Sequence, residues 1–209
     1  MKIFGNIFSA KPKSIYRFID EGNIDEIQDY LNGAKDLNSD FKLQSILYYA
    51  IDNCQNNYFK TIEILINNGA DINDHHHSKL LETPLHKLCA RIKPHIDVIT
   101  MILKKGAEVN AINISGKTPV FNCSFNYSVE LLNLLVKYEA DINIKDKYKN
   151  TLLHDDYINC YDEHFEEFLK ALISLGFDIN STNSTGLTPL NLCENKKIET
   201  ILIKYNGHK

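Results

Sequence analysis

The sequence predicts an all-α array of about six copied helix-turn-helix units joined by inter-repeat hairpin loops, and three observations predict it. First, "NNGADIN" ending at Asn73, "KKGAEVN" at Asn110, "KYEADIN" at Asn143 and "SLGFDIN" at Asn180 recur at separations of 37, 33 and 37 residues. Second, a phrase opening on a hydroxyl residue precedes each exit and recurs in phase: "SILYYAI" from Ser45, "TPLHKLC" from Thr83, "TPVFNCS" from Thr118, "TLLHDDY" from Thr151 and "TPLNLCE" from Thr188. Third, the stretches between the two phrases carry apolar residues at helical spacing, as in Ile62, Ile64, Leu65 and Ile66. Two phases locked into one period mean a single supersecondary unit, repeated.

Taken in order, residues 1–13 form a short lead and residues 14–209 a single repeat domain. Its units run over about 14–39, 40–74, 75–111, 112–144, 145–181 and 182–209. In each internal copy a Ser or Thr opens the first helix, where its hydroxyl accepts from an otherwise unpaired N–H, and Pro at the next position suits the first helical turn. The second helix follows, as in Val129, Leu131, Leu132, Leu134, Leu135 and Val136. Gly69, Gly106 or Gly176 then stands where the departing chain needs a left-handed residue. Repeats two, three and five are longer between their paired helices, at "DNCQNNYFKT", "ARIKPHIDVI" and "YINCYDEHFEE". Such turns are either tolerated surface insertions of small entropic cost or loops enlarged to touch a partner. In repeat five Leu152 replaces Pro, and Asp156 falls in a slot that Ala50, Cys123 and Cys193 fill with small side chains. A lone buried carboxylate is expensive, so the local helix register there is expected to change.

The bulk properties restrict function. The chain is 44% hydrophobic and 24% charged, with a formal charge of −4. That balance lacks the basic stripe that displaces counterions from phosphates, so no nucleic acid is expected and a basic partner is the more plausible. The five cysteines are odd in number and far apart, which indicates neither a disulfide framework nor a zinc knuckle. The opening "MKIFGNIFSAKPKS" is too short in apolar residues for a secretory signal and lacks Gly at position 2 for myristoylation. There is no apolar run of about 18 residues, so no membrane span is expected. No phosphate-binding loop, nucleophile elbow or H-E-x-x-H is present, and no catalytic residue, metal or cofactor is expected.

"ETPLHKLCA" and "NNGADIN" closely resemble the ankyrin repeat, and the resemblance covers about residues 14–209 as an ankyrin-repeat solenoid. "EGNIDEIQDYL" resembles the turn and second helix of such a unit without its T-P-L-H, which suits an N-terminal cap. "STGLTPLNLCENKKIETILIKYNGHK" supplies both helices of a last unit without a further hairpin. The resemblance implies that His86 and His154 bond neighbouring backbone and tie units together, and that Asp71, Glu108, Asp141 and Asp178 shape exit turns. It also implies a concave surface of hairpin tips and first helices that binds another protein. The usual contact register falls on Lys79, Leu80 and Glu82, on Ile114, Ser115 and Lys117, and on Lys147, Tyr148 and Asn150. At the ends of first helices it falls on Arg91, Phe125, Asn126, Ile158 and Asn159. Phe125, Tyr127, Tyr148 and Arg91 are the expected anchors, since aromatics and Arg bury large area with few rotors.

Two clusters remain. Asp155, Asp156, Asp162, Glu163, Glu166 and Glu167 occur with no Lys or Arg between 154 and 169. They form either a solvated face or an acidic patch that steers a basic partner. "DHHHSK", residues 74–79, lies at the tip of a hairpin two residues longer than its neighbours. Adjacent side chains of an extended segment alternate in direction, so His75, His76 and His77 do not make one metal cage. They are read instead as a pH-sensitive contact near the intrinsic imidazole pKa of about 6.5. The Asn-, Ile-, Lys- and Tyr-rich wording resembles ankyrin proteins of large DNA viruses and host-associated bacteria. No residues follow Lys209 to supply the F-box-like segment usual in poxvirus host-range factors, so a bacterial effector is expected at least equally. The expectation is a non-enzymatic binding protein, monomeric when unbound, in the cytoplasm or delivered to a host cytoplasm. The alternative is an immunity or inhibitor protein that occludes a toxin or enzyme with its acidic fifth unit.

Overall fold

A computed structural model describes residues 15–33, 46–75, 79–155 and 163–208. It divides into two bodies, residues 1–70 and 71–209. All regular structure among the described residues is helical. Asn159, like Ile158 and Asp156, lies outside the described residues, and so do His76 and His77.

The first body contains two helix pairs, α1 (Ile15–Glu21) with α2 (Ile24–Gly33), and α3 (Ile46–Asn53) with α4 (Tyr58–Asn67). Their apolar stripes meet, and Ile19, Ile27, Ile51 and Ile62 are wholly buried. α1 packs on α3 and α2 on α4. Tyr49 on α3 donates to Asp20 on α1 at 2.7 Å. The turn between α1 and α2 presses against the turn between α3 and α4. There Asn57 Nδ2 donates to the Gly22 carbonyl at 2.9 Å, and Gly22 itself is left-handed at φ +61°.

The second body repeats the same pairing with shorter first helices. α5 (Pro84–Cys89) precedes α6 (Ile96–Lys104). A 3-10 turn at Pro119–Asn122 runs into α7 (Cys123–Asn126) and is followed by α8 (Val129–Lys137). A 3-10 turn at Leu152–His154 precedes α9 (Phe165–Ser174), and α10 (Pro189–Leu192) precedes α11 (Lys196–Lys204). The first elements contact one another in succession, while α6 packs on α8 and α8 on α9. Leu85, Leu88, Ile99, Ile102, Leu131, Leu135, Phe165 and Phe168 form the core. In the described copies the inter-helix turns are indeed long in repeats two and three, at 54–57 and 90–95, and short in repeat four, at 127–128.

In repeat five the described part of the first element is a single 3-10 turn, and Asp155 leaves it in an extended conformation at ψ 148°. Asp156, on which the expected change of register rests, lies outside the described residues. Exits follow the glycine rule, with Gly69, Gly106 and Gly176 left-handed. Glu139 takes φ +68° where repeat four lacks the glycine.

Tyr127 corrects an expectation. It is buried, left-handed at φ +47°, and edge-on to Phe165 at 5.3 Å, because the two-residue turn of repeat four folds its ring under the second helices. It serves the core and is not an exposed anchor.

Candidate functional site

The hairpin tips at 112–117, 145–150 and 182–187 are each built around one side-chain acceptor. Asn113 Oδ1 accepts from Ser115 N at 2.9 Å and Lys117 N at 3.0 Å. Asp146 Oδ1 accepts from Tyr148 N and Asn150 N at 2.8 and 2.9 Å. Asn183 Oδ1 accepts from Thr185 N and Leu187 N at 3.0 and 3.1 Å. Such Asx turns hold a tight loop by mimicking a backbone turn. The tips are then joined edge to edge: Ile114 N donates to the Leu80 carbonyl at 2.8 Å, Lys147 N to Ser115 at 3.0 Å, and Ser184 N to Tyr148 at 2.8 Å. A side chain at any tip therefore projects from a pinned backbone, which reduces the ordering cost of binding.

The histidines fix the tips to the first helices. His86 Nδ1 accepts from Thr83 N–H at 3.2 Å, so the ring proton sits on Nε2, which donates to the Lys117 carbonyl at 3.1 Å. His154 repeats this with Thr151 N at 3.1 Å and the Leu187 carbonyl at 3.0 Å. Burial lowers both pKa values and favours the neutral ring. In repeat six Asn191 takes the slot and its Oδ1 accepts from Thr188 N at 2.8 Å. In repeat four Phe121 cannot accept, and the buried Thr118 hydroxyl has no partner among the described residues. Thr118→Val is therefore expected to raise stability by about 1 kcal/mol, read as a higher urea midpoint at constant slope.

Asparagines missed by the sequence reading latch three of the exits to the repeat that follows. Asn73 Nδ2 donates to the Gly106 carbonyl at 3.1 Å while its Oδ1 accepts from Glu108 N at 2.9 Å. Asn110 does the same with Glu139 and Asp141, and Asn180 with Asn206 and His208. Asn126 Nδ2 reaches back to the carbonyls of Cys89 and Arg91 at 3.1 and 3.0 Å. Asp71, Asp141 and Asp178 each accept from the N–H two residues on, in keeping with turn shaping.

Exposed apolar residues stand at the tips, with Tyr148 at 67%, Leu80 at 51% and Ile114 at 46%, and also elsewhere, with Phe125 at 36% on the end of α7, Ile92 at 76% on the turn after α5 and Ile203 at 55% on α11. Lys79 and Lys147 are exposed, and Arg91 is half-buried. Lys117 is drawn inward, its Nζ 2.6 Å from Asp155, a residue carried by the next repeat. Lys117, Asp146, Asn150, Thr151, His154 and Asp155 line a polar hollow of about 140 Å³ between tip and first turn.

The acidic cluster is partly neutralised. Glu166 Oε1 accepts from Lys204 at 2.7 Å and Tyr205 at 2.9 Å, with Lys170 at 3.6 Å, and these bonds lower its pKa. Glu166 thus ties α9 to α11 through a surface ion pair, its side chain 32% exposed. Glu163 and Glu167 are exposed. His75 is exposed, its Nδ1 3.2 Å from the Asn73 carbonyl. Among the described residues no three His, Cys, Asp or Glu side chains converge on a metal position. Burial raises the thiol pKa values of Cys89 and Cys123, so these sulfurs are packing groups, not nucleophiles. No helix among the described residues is long and apolar enough to cross a membrane.

A family model for ankyrin repeats, in three copies, matches residues 53–146. A putative ankyrin repeat protein of fowlpox virus is 33% identical over 113 residues, 52% of this chain and 18% of its own length. A second from that virus is 28% identical over 153 residues, 71% of this chain and 34% of its length. An ankyrin repeat protein of variola virus is 30% identical over 131 residues, 60% of this chain and 23% of its length. The matched stretch spans 34% or less of each of these three relatives. Ankyrin repeats are generally protein–protein interaction modules and non-enzymatic scaffolds.

Proposed function

This chain carries ankyrin repeats like those of poxvirus proteins, and on that premise we propose that it binds a partner protein through the hairpin tips and first helices of residues 79–192. One observation carries the reading: Leu80, Ile114 and Tyr148 stand exposed on tips whose backbones are hydrogen-bonded to one another. Exposed apolar side chains on a pre-ordered surface are what an interface core requires. Phe125 and Arg91 extend the contact along the first helices, and His75 extends it at the longest tip. The viral relatives support a partner met in a host cell. The test is a matched pair of triple variants on the full chain. Leu80→Ala/Ile114→Ala/Tyr148→Ala is expected to weaken a selected protein binder by about 100-fold or more, while Tyr30→Ala/Phe59→Ala/Ile203→Ala, apolar and exposed at 38–55%, leaves it unchanged. The opposite pattern would move the interface to the helices.

A second reading, an inhibitor that occludes a basic enzyme or toxin, rests on Glu163 and Glu167 at the start of the second helix of repeat five. It is weakened by the internal pairing of Asp155 and Glu166. Glu163→Lys/Glu167→Lys without effect on a captured basic partner would end it.

A further inference from the structure

The tips carry a charge opposite to that of the chain. Over residues 79–82, 112–117 and 145–150 there are five lysines against two carboxylates, in a protein of formal charge −4. One of those carboxylates, Asp146, is buried and directed inward, its Oδ1 accepting from two N–H groups and its Oδ2 from Asn150 Nδ2 at 3.2 Å. Lys117 is held by Asp155. Lys79, Lys145, Lys147 and Lys149 are all exposed, and among the described residues no carboxylate lies within ion-pair distance of them; Lys145 reaches only the Thr182 carbonyl, at 3.3 Å.

Backbone conformation supplies a separate observation. Two residues before each first-helix threonine the tip is left-handed, at φ +79° for Gly116 and Gly186. The same position is Leu81 at φ +54° and Lys149 at φ +58° in the other two repeats. A side chain there costs about 1 kcal/mol or more relative to glycine, and both residues are exposed, Leu81 at 40%. Retaining a lysine under strain beside Lys147 and an exposed tyrosine points to use on the outside.

Resting on the protein-binding reading, we propose that the partner presents an acidic segment with an aliphatic or aromatic anchor, seated on Lys79, Lys145, Lys147 and Lys149 around Ile114 and Tyr148. Charge complementarity selects this occupant: the lysines repel a basic partner at this edge, and the apolar residues between them have no use for a purely polar one. A nucleic acid fits less well, since four lysines neutralise few phosphates, one exposed tyrosine is a small stacking platform, and the rest of the chain is acidic.

The experiment selects binders to the full chain from a random peptide library displayed on mRNA, then measures their affinities by fluorescence anisotropy. The expected pool is enriched in Asp and Glu with Leu, Phe or Tyr between them. Lys147→Glu/Lys149→Glu is expected to weaken these peptides by about tenfold or more, with the loss shrinking at high salt. Lys149→Gly separates the two roles, raising the melting temperature by relief of strain while weakening the same peptides. A neutral or basic pool, or an acidic pool indifferent to charge reversal, overturns the acidic partner while leaving protein binding at this edge standing. An oligouridine probe that binds more tightly than the peptides at equal salt, and loses that binding in Lys147→Glu/Lys149→Glu, overturns it in favour of nucleic acid. A library with no enriched member overturns both this inference and the reading beneath it.

Discussion

Gly22→Ala is expected to destabilise the first body by about 3 kcal/mol or more, enough to unfold it or leave it marginal. Two effects combine. The left-handed φ of +61° disfavours any L side chain by about 1–2 kcal/mol. The added Cβ would also stand 2.1 Å from the Asn56 carbonyl oxygen and 2.6 Å from its carbon, a backbone that cannot rotate aside as a flexible side chain would. Relieving the clash separates the two inter-helix turns and breaks the 2.9 Å bond from Asn57 to Gly22. Gly33 is the control: a Cβ there meets nothing within 4 Å. At this last residue of α2, alanine is expected to be neutral or stabilising by up to about 1 kcal/mol. Urea denaturation followed by circular dichroism compares the two; equal stability of both variants would contradict the close turn contact.

Acid is expected to destabilise the second body through His86 and His154. In the folded chain each ring accepts from a backbone N–H through Nδ1, so a proton there breaks that bond and places charge in a buried slot. The folded pKa values lie below the unfolded value of about 6.5, so the stabilisation is complete above that pH. It is lost as pH falls from there toward the folded values, with a slope of up to about 1.4 kcal/mol per pH unit for each histidine. His86 is shifted by burial, opposed by its bond to the Lys117 carbonyl. His154 is shifted first by burial, with Lys145 assisting and Asp146 and the Leu187 carbonyl opposing. His86→Ala leaves Thr83 N–H unpaired, removes one of the two donors to the Lys117 carbonyl while Asn113 N–H stays at 2.9 Å, and opens a void, an expected loss of about 2–4 kcal/mol at neutral pH. His86→Asn imitates Asn191, which makes the same Thr cap without a titrating ring. It is expected to remove part of the acid sensitivity while retaining more stability than alanine. Denaturant midpoints from pH 7.5 to 5 give both readings.

The repeat phases were legible because they record local geometry: Thr before Pro makes a cap, and Gly after an apolar helix makes an exit. Contacts between different registers of neighbouring repeats were not. Lys117 precedes one first helix and Asp155 follows the next, and Glu166 meets Lys204 across an equal interval of 38 residues, so the apparent absence of basic residues between 154 and 169 misrepresented the fifth repeat. Tyr127 was misplaced because a short inter-helix turn, not a longer first helix, decides where its ring points. The asparagine latches did leave a signal. Asn73, Asn110 and Asn180 align at one register, and the Asn-rich wording that resembles viral proteins is in part this bonding scheme. The basic edge was hidden by averaging, since a net charge of −4 says nothing of lysines collected on three tips.

Hydrogen–deuterium exchange of the full chain, with and without a selected peptide binder, tests the central claim most directly. Added protection is expected at 79–82, 112–117 and 145–150 and along α5 and α7, with the outward faces of α8, α9 and α11 unchanged. Protection confined to those second helices, with the tips exchanging as in the free protein, would contradict binding at the hairpin edge.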